Sequence, residues 1–110
     1  MQVLDTPKIS GRARLVQLIR LYEEGLASDL MERTLYKLFA TEAAGEQKAI
    51  DRLRSDLDDL EVRYGMESSE FFARFDAGEL GDDMDFIEWA SLYQMYMHSM
   101  KRFEILTGAE

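Results

Sequence analysis

At 110 residues with no cysteine and a net charge of −9, the chain has the length of one domain with a small core. Its composition excludes a disulfide framework, thiolate metal sites and thiol nucleophiles. The opening MQVLDTPKISGRAR lacks an apolar secretory segment, and no window approaches the roughly eighteen apolar residues of a membrane span, so a cytoplasmic protein with no membrane partner is expected.

The first helix is predicted over 8–25, in a single helical domain covering 1–110. Ser10 is its cap, Leu15, Leu18, Ile19 and Tyr22 form one apolar face at i, i+3, i+4, i+7, and Gly25 ends it. Lys8, Arg12, Arg14 and Arg20 make this head weakly basic, because 8–22 contains no acid. They are candidate DNA contacts, weighed against a solvated face or an internal match for the acidic half.

A long second helix follows over 28–64, starting at Ser28 or Asp29 and closed by Gly65 in the left-handed conformation. Ile50, Leu53, Leu57, Leu60 and Tyr64 step 3, 4, 3, 4 along an a/d seam. Backwards the frame meets Glu46, Ala43, Phe39 and Tyr36, so a bend or change of partner is expected near Gly45. Asp51 with Arg54, Arg54 with Asp58, and Asp59 with Arg63 stand at pairing distance along the outside.

A short third helix is predicted over 68–77, with Met66 and Phe71 as a staple, Glu67 as nominal cap, and Phe71, Phe72 and Phe75 on its inner face up to Gly78. The fourth spans 82–106. Asp82 or Asp83 caps it, and Asp85 and Glu88 fall where the positive end of the macrodipole favours acid. Much of the acid in 66–88, eight carboxylates against Arg74 alone, therefore starts a helix. The same acid argues against nucleic acid as a partner of this half.

Phe86, Trp89, Tyr93, Tyr96, Met100 and Phe103 step 3, 4, 3, 4, 3 in an aromatic seam, which the second helix can cover in a hairpin or dimeric bundle. Ile87, Ala90, Leu92, Met95, Met97 and Leu106 lie off that seam, leaving the helix apolar on more than one side. The candidate partner-binding residues are accordingly Phe86, Trp89, Tyr93, Tyr96, Met97 and Met100, with Asp82, Asp83, Asp85 and Glu88 as an acidic rim that steers a basic partner. The fold class is all-α: a helical hairpin or small bundle with a long central helix, a short connecting helix and a long aromatic C-terminal helix.

Catalytic readings find no footing. The acids around Asp82 lack the ligand spacing of an EF-hand loop, and the single histidine, His98, falls short of the two Glu-x-x-His pairs of a di-iron bundle. No Walker loop or nucleophile elbow occurs. A noncatalytic protein with no cofactor and no metal is expected.

The segment from Tyr64, Gly65 and Met66 through Phe71, Phe75 and G-E-L-G-D-D at 78–83 to Asp85, Phe86, Glu88, Trp89, Leu92 and Tyr93 resembles the C-terminal part of small acidic bacterial and archaeal proteins, some of them antitoxins of toxin–antitoxin pairs, including those beside TumE-type toxins. It covers about the last 45 residues. Glu67 departs from the Ser or Thr cap of those proteins, and residues 1–45 have no counterpart. The resemblance implies a noncatalytic protein whose acidic helical portion occupies the basic surface of a toxin encoded by an adjacent gene. The alternative is a self-associating scaffold or small assembly subunit, a homo-oligomer whose copies bury both seams and whose acid only maintains solubility.

Overall fold

The computed structural model describes residues 10–109. These form four helices and no strand: α1, Gly11–Glu23; α2, Asp29–Tyr64; α3, Ser68–Asp76; and α4, Met84–Thr107. This is the expected all-α class, with the long central helix, short helix and aromatic C-terminal helix in their anticipated order. Where the sequence suggested one domain over 1–110, contacts divide the chain into two compact units, one ending at Tyr36 and the other beginning at Lys37.

In the first unit, Ser10 caps α1, its hydroxyl accepting from the Ala13 N–H at 3.2 Å. Of the two candidate starts of α2, Ser28 is the cap, its hydroxyl accepting from the Met31 N–H at 3.2 Å. The two helices turn back on each other, and the Tyr22 hydroxyl donates to Glu32. No residue of α1 is buried.

The second unit holds the core. Ile50, Leu53, Leu57 and Leu60 of the predicted seam are all buried, and Leu57 is fully covered. Leu57, Leu60, Phe71, Trp89 and Ala90 form one buried cluster, flanked by Met66, Phe72, Phe75, Leu80, Phe86, Leu92, Tyr93 and Tyr96. α4 runs antiparallel to α2. Arg63 meets Asp85 at one end (3.0 Å), the Arg54 guanidinium lies 5.3 Å from the centre of the Tyr96 ring in the middle, and Arg102 pairs with Glu42 (2.9 Å) and Glu46 at the other.

α2 continues unbroken through Gly45. At the weak part of its seam a polar lock replaces apolar packing. Glu46 occupies the seam position, and bonds from Ser99 first, then Arg102, hold its carboxyl below the usual glutamate range against the opposing effect of burial. Of the pairs expected along the outside of α2, Arg54–Asp58 forms at 2.9 Å. Arg54 also reaches Glu61 at 2.8 Å rather than Asp51. Arg63 pairs with Asp85 rather than Asp59, tying the end of α2 to the start of α4.

Gly65 takes φ +65 and lets the chain leave α2 at once, its N–H and that of Met66 both donating to the Glu61 carbonyl. Only three residues, Gly65 to Glu67, separate α2 from α3, so the Tyr64 end of α2, all of α3 and the start of α4 converge. That convergence positions the aromatic cluster.

Candidate functional site

Trp89, read from the sequence as a partner anchor, is 0 % exposed. Its ring stacks on Phe71 with centroids 3.9 Å apart and planes within 5°, and Tyr64 lies on it from α2 at 5.6 Å. A buried indole N–H requires an acceptor, and the Ser68 hydroxyl supplies it at 2.9 Å. This corrects the anchor assignment: the chain's own α2 and α3 use the whole Trp89 surface, leaving none for a partner. Rings of the chain's own α2 and α3 stack on the indole, so the local fold is complete here.

Ser68 was not singled out in the sequence, although a lone Trp at a core spacing signals that some nearby hydroxyl or carbonyl must receive its N–H. Glu61 was missed as well. Glu67 stands at the N-cap of α3 without a side-chain cap bond. The vacant role passes to Glu61, whose Oε2 accepts from the Ser68 N–H at 2.8 Å. Burial raises the Glu61 pKa, but the bonds from Ser68 and Arg54 prevail and hold its carboxyl below the usual range. Arg54 is likewise pulled down by burial, and its bonds to Glu61, Tyr96 and Asp58 more than offset this, keeping it charged.

The other predicted anchors divide. Phe86 is half-buried, with Tyr64 edge-on at 5.4 Å and Phe71 at 5.6 Å. Tyr93 lies against Phe72 at 5.3 Å, Tyr96 lies beneath Arg54, and Met100 is half-buried. These are core-edge residues, with part of each left accessible. Met97 is exposed, as are Ile87 and Met95, and Met84 is 76 % exposed. The apolar flanks of α4 thus separate: Ala90 and Leu92 join the core, while Ile87, Met95 and Met97 stay outside it.

The acidic residues also divide. Asp83 is the N-cap, its Oδ1 accepting from the Asp85 N–H at 2.9 Å. Asp85 is engaged internally, accepting from the Tyr64 hydroxyl at 2.5 Å and from Arg63 at 3.0 Å, bonds that hold its carboxyl below the usual aspartate range. Asp82 and Glu88 are exposed. By helical spacing Met84, Ile87, Glu88 and Met95, at i, i+3, i+4 and i+11, share the side of α4 opposite its seam. What remains available is a strip of methionine and isoleucine beside carboxylates.

Among the basic head residues, Arg12 and Arg14 lie in the first turn and a half of α1 and Arg20 pairs with Glu24 at 2.9 Å; Lys8 lies outside the described residues. His98 is exposed on α4. Among the described residues no three His, Cys, Asp or Glu side chains gather as a metal site, and no helix is long and apolar enough to cross a membrane. Comparison with protein-family models, curated proteins and solved structures gives no match.

Proposed function

We propose that the protein is a noncatalytic, antitoxin-like binding module that captures a basic protein on the outer strip of α4. The observation that carries this reading is the exposed run of Met84, Ile87 and Met95 beside Glu88, the exposed Asp82 and the capping Asp83. Methionine adapts to irregular partner surfaces, and an acidic rim speeds encounter with a basic partner and selects against acidic ones. The aromatic core behind the strip makes the helix a rigid platform, which lowers the ordering cost of binding. A basic toxin encoded by the neighbouring gene is the partner this reading names.

The test is titration of that purified gene product with the wild type and with a Glu88→Lys, Met95→Asp double variant. Tight binding by the wild type, weakened at least tenfold by the double variant and by raised salt, is the expected result. Absence of binding would remove the partner reading, and equal binding by the double variant would remove the strip.

A second reading, self-association, has its own support: α1 is formed without a single buried residue. A helix of 13 residues is marginal in water and derives most of its stability from tertiary packing.

A further inference from the structure

We infer that the α1–α2 hairpin of the first unit is a dimerisation face, and that its occupant is the same hairpin of a second copy. The inference rests on the self-association reading and assigns it a surface.

Four apolar residues of α1, Leu15, Leu18, Ile19 and Tyr22, share one stripe, with Val16 and Leu21 to either side of it. Leu18, Ile19 and Tyr22 of α1 and Leu35 of α2 line an open groove of about 370 Å³, with Glu23 and Glu32 at its edge. Leu15, Val16, Ile19, Leu26, Leu30 and Tyr36 each expose more than half of their surface. Leu15 and Ile19 extend the groove's apolar lining along the α1 stripe, whereas Leu26 belongs to a separate groove with Leu21, so the contact would start from the α1 side of the hairpin.

Charge selects the occupant. Residues 10–36 carry four basic and four acidic side chains, whereas 37–110 carry eight and seventeen. The whole net charge of −9 therefore belongs to the second unit. Contact between two copies through 37–110 would oppose like charges, and contact through 10–36 would oppose a balanced set. A basic partner gains nothing electrostatically from the balanced hairpin. An identical hairpin fits it, because a two-fold contact lets the Leu15 and Ile19 ridge of each copy enter the groove of the other, making four helices around one apolar centre.

Sedimentation of the full chain, without any partner protein, tests this. The wild type should dimerise in the micromolar range, with a dissociation constant that moves less than about threefold between low and high salt, since the face is neutral. Leu15→Glu with Ile19→Glu should raise that constant at least about 100-fold, whereas Met84→Glu with Met95→Glu should leave it unchanged. The chain has no cysteine, so Ile19→Cys supplies a readout that does not depend on a damaged helix: oxidation should link two copies, and Met95→Cys should not. A wild type that stays monomeric at high concentration would overturn the self-association reading and the inference together. A dimer that survives the α1 changes, or dissolves with the α4 changes, would overturn the surface alone.

Discussion

Trp89 is the largest side chain that the fold covers completely, and its surroundings distinguish a core residue from an interface anchor by stability alone. Truncation to Ala should cost about 3–5 kcal/mol, the usual range for an aromatic removed from a packed core, measured by urea unfolding followed by circular dichroism. An unchanged midpoint would contradict the stacking on Phe71 and Tyr64. Ser68→Ala isolates the polar contribution: the indole N–H then has no acceptor, and about 1–3 kcal/mol should be lost, with Trp89 fluorescence reporting the altered site. Glu61 links the same region to pH. Its folded pKa lies below the ordinary glutamate value of 4.5, so the stability it contributes is complete above that value. It disappears as pH falls through the lower, folded value. Glu61→Gln, which keeps an acceptor for the Ser68 N–H but loses the charge facing Arg54, should flatten the decline in melting temperature below about pH 4.5. An unaltered acid slope would count against this linkage.

At the scale of elements, the helix ends follow rules legible in the sequence. Ser10, Ser28 and Asp83 cap three of the helices, and Gly78, at φ +76, ends α3 with the Glu79 N–H donating to the Arg74 carbonyl. A Cβ at Gly78 would meet nothing within 4 Å. Gly78→Ala therefore tests the backbone alone, with about 1–2 kcal/mol expected from placing an L-residue in the left-handed region; a neutral result in thermal unfolding would mean that the turn relaxes. Periodicity gave the seams of α2 and α4 because helical spacing decides which side chains share a face. It could not give the third partner of the aromatic seam. α3 was legible as a short helix, but its wedging against Trp89 depends on a two-residue connection after Gly65. The surplus apolar flank of α4 was therefore read as unpartnered when part of it, Ala90 and Leu92, enters the core. Ion pairs between helices were beyond reach for the same reason. Local spacing joins Arg63 to Asp59, whereas the antiparallel path of α4 brings Asp85 to Arg63 from 22 residues away.

For the whole molecule, burial and charge are distributed unequally, and stability should follow. Among the described residues every buried one lies between Ala43 and Ser99, and none belongs to the unit ending at Tyr36. Local opening becomes easier where few apolar contacts must be broken. In dilute protein the amides of α1 should therefore exchange with solvent orders of magnitude faster than those from Leu53 to Leu60, which should exchange only on global unfolding. If the first unit is held by a second copy, its protection is a mass-action quantity, increasing with protein concentration while the protection of 53–60 stays constant. Hydrogen exchange at two protein concentrations measures both behaviours in one experiment. Concentration-independent protection of α1 at the level of the core would show that the hairpin is stable by itself, and its exposed leucines would then need another explanation. A rise confined to α1 and the first turns of α2 would assign the neutral hairpin to assembly, leaving the acidic unit available for recognition of a basic partner.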